Sequence, residues 1–386
     1  MKVANSNLSN AKNAKNDEFY TQYQDIEKEV TAYIEYDPDV FRGKTILLPC
    51  DDPEWSNFTK YFAQNFERFG LKKLISTSYA VNSKKNKVGY QLTLFEEVSP
   101  QFDNVKTFEN GKIFTLEHDS TGDGKIDVSD LEWRYLDGDG DFRSKEVERL
   151  RDEADIIITN PPFSLFREFL AWINKKQKQF LIIGNMNAIT YKEIFPLIKE
   201  NKVWLGPSIS SGDREFRVPD DYPVNAAGWR IDKNGRKFLR IKGVRWFTNL
   251  DHGRRHQPLP LMTMEDNLKY SKHKDIKENG YLKYENYDAI NIPFTDSIPN
   301  DYPGIMGVPI SFLDKYSPEQ FEIVGMCENE DLYSLKTKVY STAECKEAYF
   351  LKFGKKGTYD LNASGVIICN ELREKVYQRI LLKHRR

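Results

Sequence analysis

Short, wholly apolar runs alternate with amphipathic stretches over the first half of the chain, and this rhythm predicts a parallel sheet flanked by helices. Thr45-Ile46-Leu47-Leu48 reads as a buried strand. A helix follows, with Trp55, Phe58, Phe62, Phe66 and Phe69 on one face, and then a second strand at Leu74-Ile75-Ser76-Thr77. Upstream, Ile26, Val30, Tyr33 and Ile34 recur at helical spacing. The pattern resumes with a strand at Asp155–Thr159 and a helix that turns Leu165, Phe166, Phe169, Leu170 and Ile173 inward. Strands at Phe180–Gly184 and Val203–Gly206 come next. Between them, Thr190 with Glu193 three residues on predicts a capping box opening a helix through Ile194 and Ile198. The fold class is α/β, doubly wound.

Two stretches break the rhythm. Residues 80–138 are polar, with strand-like pieces near Tyr90–Phe95 and Lys112–Leu116, and read as an insertion carrying a hairpin. Beyond about residue 210, prolines, basic residues and aromatics mix without a long helical period. The predicted organisation is a disordered tail over 1–16, a catalytic domain over 17–225, and an irregular α+β region over 226–386 that ends in a helix at Leu372–Leu382. No apolar run approaches the roughly 20 residues of a membrane span. The first residues lack the apolar core of a signal peptide, and the 4 cysteines form no CxxC pair. A cytoplasmic protein is expected.

The chemistry concentrates at turns that follow strands. Asn160-Pro161-Pro162-Phe163 comes directly after Asp155–Thr159. An amine on a heteroaromatic ring is a poor nucleophile, because its lone pair is drawn into the ring. Methylating it calls for acceptors on both amino hydrogens, and an Asn side-chain oxygen plus a rigid prolyl carbonyl supply them. The aromatic ring behind them can stack on a base swung out of its helix. Upstream, Asp141 and Phe142 pair an acid with an apolar ring, as a site for the adenine of S-adenosylmethionine (SAM) requires. Cys50-Asp51-Asp52 follows the first strand, where Asp51 or Asp52 suits a cationic cofactor and either also suits a helix cap. Phe19-Tyr20-Thr21 sits ahead of the first helix, placed to close over the same cofactor.

Charge enters only locally, since 57 Lys+Arg against 58 Asp+Glu leave a formal net charge of −1. Arg240, Arg245, Arg254 and Arg255 belong to a basic run interleaved with Phe238, Trp246 and Phe247. That spacing suits a surface tracking DNA, and a solvated charged face shares it. His252 and His256 flank Arg254 and Arg255, which fits phosphate contact better than a metal. Asp119, Asp123, Asp127 and Asp130 follow the spacing of a calcium loop, with Asp in place of the usual final Glu. No metal is needed for the methylation chemistry.

Several blocks, in order, resemble the EcoRI-type adenine-specific DNA methyltransferase family. They are Asp-Glu-Phe-Tyr-Thr (17–21), Cys-Asp-Asp-Pro-Glu-Trp-Ser-Asn-Phe (50–58) and Gly-Asp-Phe-Arg-Ser (140–144). Thr-Asn-Pro-Pro-Phe-Ser-Leu-Phe-Arg-Glu (159–168), Ile-Gly-Asn-Met-Asn-Ala-Ile-Thr-Tyr-Lys-Glu (183–193) and Met-Gly-Val-Pro-Ile-Ser-Phe-Leu (306–313) complete the set. The resemblance implies a Rossmann-like SAM-dependent catalytic domain and a target-recognition region. It implies a monomer that flips an adenine of double-stranded DNA, in a restriction–modification system with a separately acting endonuclease or as a solitary methylase. Asn160 to Phe163 take the catalytic role, and Phe19 to Thr21, Asp51, Asp141 and Phe142 the cofactor pocket. The second strand ends in Thr77-Ser78-Tyr79, without the acid that the wider class uses for the ribose, which leaves Asp52 as a candidate. Cytosine N4, a protein glutamine, or DNA binding without catalysis are the competing readings.

Overall fold

The computed structural model describes residues 20–52, 56–80, 99–210, 213–218 and 228–385. The tail, Phe19, Trp55 and the strand-like piece at Tyr90–Phe95 lie outside the described residues. The chain divides into two compact units, Met1–Ile198 with Lys202–Gly253 and Lys199–Asn201 with Arg254–Arg386.

In the first unit, α1 (Tyr23–Tyr36) buries Ile26, Val30 and Tyr33, as its spacing predicts. β1 (Thr45–Leu48) is buried at every position. The predicted long helix after it breaks in two, α2 (Asn57–Gln64) and α3 (Phe66–Phe69). Asn65 sits at the break, its side-chain amide donating to the Tyr61 carbonyl at 2.9 Å in competition with the helix ladder. β2 (Lys73–Ser78) follows, and then α4 (Asn104–Glu109), β3 (Lys112–Leu116) and β4 (Glu132–Tyr135). The insertion therefore extends the main sheet: β3 pairs antiparallel with β2, and β4 with β3.

α5 (Lys145–Glu153) leads into β5 (Ile156–Thr159), α6 (Phe166–Asn174) and β6 (Gln179–Asn185). The predicted capping box at Thr190 does not form. Thr190 ends a 3-10 turn, its hydroxyl donating to the Asn187 carbonyl at 2.9 Å, and α7 (Phe195–Lys199) starts later. β7 (Trp204–Leu205), β8 (Asp213–Arg217), β9 (Trp229–Ile231), β10 (Lys237–Lys242) and β11 (Val244–Thr248) complete the unit. The large sheet has the order β4-β3-β2-β1-β5-β6-β11-β7, and β8, β10 and β9 form a smaller one. The chain changes character near residue 210 but stays in this unit to Gly253, because β11 inserts between β6 and β7.

Period-2 alternation splits the buried strands between two layers. Ile46, Leu48, Ile156, Ile158, Leu181 and Ile183 share a core with Ile26, Val30, Phe58 and Phe62. On α6 and β11, Phe166 and Phe247 pack with centroids 5.0 Å apart.

The second unit holds α8 (Met264–Tyr270), α9 (Lys274–Asn279), β12 (Ala289–Asn291), β13 (Ile305–Pro309), β14 (Phe321–Met326), α10 (Thr342–Phe353), β15 (Val366–Cys369), β16 (Leu372–Lys375) and β17 (Arg379–His384). Four strands form a sheet ordered β12-β13-β17-β14. The predicted C-terminal helix is instead two strands. Asn370 and Glu371, with φ of 48° and 64°, make a tight two-residue turn between β15 and β16. Positive φ at both turn residues matches the twist of a hairpin, so the segment pairs rather than coils.

Candidate active site

β1, β2, β5 and β6 run parallel, so the chain leaves Leu48, Ser78, Thr159 and Asn185 along one edge of the sheet. β2 lies on one side of β1 and β5 on the other, which makes the gap between β1 and β5 a switch point. Ligands of open α/β sheets bind in the crevice outside such a point. The Cys50–Asp52 and Asn160–Phe163 turns flank it. Thr159 Oγ1 donates to the Pro49 carbonyl at 2.7 Å and ties the two turns together.

Pro161 is buried, while Asn160 and Phe163 are half-buried. Pro162, at φ −53°, starts a 3-10 turn over Phe163–Leu165, and its carbonyl accepts from the Leu165 N–H at 2.9 Å. The Phe163 ring meets Phe216 of β8 at a 6.4 Å centroid distance and 88°. The next residue, Arg217, exchanges backbone hydrogen bonds of 2.9 and 3.1 Å with Tyr20. Thr21 is fixed from the other side, its carbonyl accepting from Asn57 Nδ2 at 2.7 Å. Tyr20 and Thr21 thus share β8 with Phe163, and the bridge connecting them is absent from any local pattern.

Cys50 takes φ +62°, the left-handed turn that other folds give to glycine at this position. Its Sγ lies 3.7 Å from the Tyr79 hydroxyl, and burial pushes the thiol up to about 12. Burial likewise raises Tyr79, so both groups stay neutral. Asp51 turns inward. Only 6% exposed, its carboxylate accepts from Ser56 Oγ and from Thr59 Oγ1, the latter at 2.8 Å. Its backbone N–H donates to the Thr77 carbonyl at 2.7 Å, and Ser76 Oγ donates to its carbonyl. Burial, partly offset by Ser56 and Thr59, pushes the acid up to about 7. The cap reading of this turn therefore belongs to Ser56 and Asp51 together. Asp52 is the half-buried acid of the pair.

Gly140, at φ +86°, brings the Asp141 loop onto the end of β2, where a Cβ would collide with the Ser78 carbonyl. The Ala80 N–H donates to the Asp139 carbonyl at 2.8 Å and fastens the approach. The Asp141 carboxylate accepts from Arg143 through Nε at 2.9 Å and Nη2 at 2.6 Å, and this guanidinium holds it below the usual carboxylate range. Phe142 does not offer a ring face: it is 0% exposed, edge-on to Phe169 at 5.0 Å and Trp172 at 5.6 Å. Sequence reasoning assigned no role to Tyr79, Arg143 or Phe216, although Tyr79 and Arg143 fall inside segments it marked out.

A family model described as adenine-specific methyltransferase EcoRI matches residues 7–385. The chain belongs to this methyltransferase family. It is 46% identical to the type II methyltransferase M.EcoRI of Escherichia coli over 85% of this chain and 91% of that protein. It is 35% identical to M.MpnI of Mycoplasma pneumoniae, covering 86% and 90%, and 35% identical to M.MgeORF184P of Mycoplasma genitalium, with the same coverage. No solved structure matches the chain. No helix among the described residues is long and apolar enough to cross a membrane.

Other candidates fare differently in this methyltransferase. Arg245 is 4% exposed and donates to the Val244 and Ser210 carbonyls at 2.8 and 3.1 Å, so it braces the sheet and cannot meet a phosphate. Phe238, Trp246 and Phe247 are buried, and the basic–aromatic alternation is the period of strands β10 and β11. Arg240 is exposed but lies 3.6 Å from Asp213. Arg254 and Arg255 occupy a 3-10 turn in the second unit, where Arg255 donates to Asn201 Oδ1 at 3.3 Å. His252 is buried with Nε2 3.1 Å from the Leu205 carbonyl, and His256 lies 2.7 Å from Glu319.

The calcium-like loop closes on itself. Asp119 accepts from the Gly122 and Gly124 N–H groups at 2.6 and 2.8 Å. Asp130 accepts from Ser120, Thr121 and Asp127 at 2.9, 2.9 and 3.0 Å, and these bonds pull it down to about 2. Asp123 and Asp127 bond the Lys125 and Ser129 N–H groups. Among the described residues, no cluster of three or more metal-ligating side chains forms.

Proposed function

We propose that the protein transfers a methyl group from SAM to N6 of an adenine flipped out of double-stranded DNA, with Asn160 and the Pro161 carbonyl as acceptors for the amino hydrogens. The observation that carries this reading is the placement of Asn160–Phe163 and Cys50–Asp52 on either side of the switch point, joined through Thr159 and Pro49. Pro162's carbonyl is engaged by Leu165, so the Pro161 carbonyl is the acceptor left in the turn. Phe163 lends the exposed part of its ring to the base, while Phe216 fixes its other edge.

The residues present fit SAM. Thr21 Oγ1 and Thr77 Oγ1 are buried hydroxyls without a hydrogen-bond partner among the described residues; the Thr21 carbonyl is held by Asn57 at the start of α2, and the Thr77 carbonyl by the Asp51 N–H. The ionised Asp141 accepts from the cofactor's adenine amino group, and Asp52 serves the cationic or ribose end. When bound, the cofactor supplies an electrophilic methyl on sulfur. Asn160 holds the nitrogen pyramidal so that its lone pair points out of the ring plane. The surplus proton leaves to solvent after transfer. The neutral Cys50 thiol takes no covalent part.

The protein acts as a monomer, with any cognate endonuclease a separate chain. The test is methylation of DNA from a methylation-free host by wild type and by Asn160→Ala. The variant should bind SAM and DNA but form N6-methyladenine at least about a hundredfold more slowly; methylation at the wild-type rate overturns the assignment.

A further inference from the structure

Within the basic run predicted over 236–256, and beside it at Arg230, guanidinium groups are neutralised by neighbouring acids. Arg230, Arg236 and Arg240 each face an acid, at Glu215, Asp232 and Asp213. In the second unit, α10 and the loop beyond it carry lysines that pair with no acid among the described residues. The helix is opened by a capping box between Ser341 and Glu344 and closed by Gly354 in the left-handed region. Cys345 and Ala348 face inward, so Lys346, Phe350 and Phe353 fall along the outward side at helical spacing. Phe350 is 57% exposed and its neighbour Leu351 58%. One acid, the exposed Glu347, shares that side.

The loop beyond the helix, Gly354-Lys355-Lys356-Gly357, is fixed rather than loose. A Cβ at Gly357 would collide with the Tyr349 ring, so the backbone lies directly on the aromatic face. Tyr349 in turn packs on Phe353 at 4.7 Å, and Phe353 on Tyr359 at 6.0 Å. The Tyr359 N–H donates to the Cys345 carbonyl at 3.2 Å, returning the loop to the helix. Lys355 and Lys356 are exposed, and like Lys346 they pair with no acid among the described residues.

We infer that this face of α10 and the Lys355–Lys356 loop form a DNA-contacting surface, in which the lysines meet backbone phosphates and Phe350 and Leu351 lie against the groove. Charge complementarity commits the surface to a polyanion, with Lys346, Lys355 and Lys356 against the single Glu347. Apolar side chains rimmed by lysines are the arrangement with which proteins press on or between base steps. This rests on DNA being the substrate.

The test is a salt titration of binding to a short random-sequence DNA duplex by wild type, Lys355→Ala/Lys356→Ala and Phe350→Ala, with SAM affinity measured alongside. Loss of two phosphate contacts should flatten the log–log salt slope by about 1.8 and weaken binding roughly tenfold per lysine near ~0.1 M salt. Phe350→Ala should weaken binding with the slope unchanged, and SAM affinity should hold in every variant. A double-lysine variant with wild-type affinity and slope overturns the surface. So does a variant that changes only sedimentation, since a second copy would then be what covers the helix. Failure of the substrate reading looks different, because wild type itself would then leave DNA unmethylated.

Discussion

Two loops rich in Asp and Gly, Asp119–Asp130 and Asp137–Phe142, lie close together in the chain and have nearly the same composition. In the first, each carboxylate folds back on the loop's own N–H groups. In the second, Gly140 is pressed against the Ser78 carbonyl, and Asp141 comes to rest near Cys50 and Tyr79 at the carboxyl edge of the sheet. The difference is where the backbone is held. Carboxylates in both loops accept from nearby N–H groups, Asp141 from Arg143, but only the turn fastened to a neighbouring strand carries its acid to the carboxyl edge of the sheet.

The sharpest way to test this contrast is at the edge itself. Asn160→Ala should lower kcat by about a hundred- to a thousand-fold, the usual loss for one transition-state acceptor or donor, in single-turnover methylation with SAM and DNA saturating. Asp141→Ala comes next. It should weaken SAM binding by roughly 10- to 100-fold, since a hydrogen bond to a charged group contributes about 1.5–3 kcal/mol; calorimetry reads this, and an unchanged affinity would remove Asp141 from the pocket.

Asp51 separates a structural acid from a ligand acid. Its folded-state value of about 7 stands above the ordinary carboxylate range, so the folded chain holds the proton more tightly than the unfolded one. The linkage then makes wild type lose stability relative to Asp51→Asn as pH rises from about 4 to about 7, by up to ~1.4 kcal/mol per unit. Denaturant melts across that range check it, and a flat difference would contradict the buried, proton-sharing arrangement. The smallest effect belongs to the self-closed loop. Asp130→Ala should speed amide exchange at Ser120, Thr121 and Asp127, leave kcat unchanged, and confer or remove no dependence on calcium.

Much of the first unit was legible in the sequence because buried parallel strands leave little choice of residue. Ile46, Leu47 and Leu48, or Ile156, Ile157 and Ile158, have both faces covered and so read as continuous apolar runs. The Asn160–Phe163 turn was legible because two prolines directly after an apolar run end the strand there. β11 was not, since Arg245 and its aromatic neighbours show the same alternation whether buried or on a charged surface. The C-terminal hairpin was missed for a related reason: Leu372, Ile380 and Leu382 are apolar in either state, and the left-handed pair Asn370 and Glu371 that decides for strands contains no glycine.

The sequence alone determined the parallel sheet, the positions of its post-strand turns and the family to which they belong, because each depends on residue types within a few positions of one another. Only the tertiary structure decided which acid is enclosed. Asp51 and Asp52 are adjacent and chemically identical, and what separates them is that Ser56, Thr59 and the Thr77 carbonyl, brought in from the helix and strand beside them, enclose one and not the other.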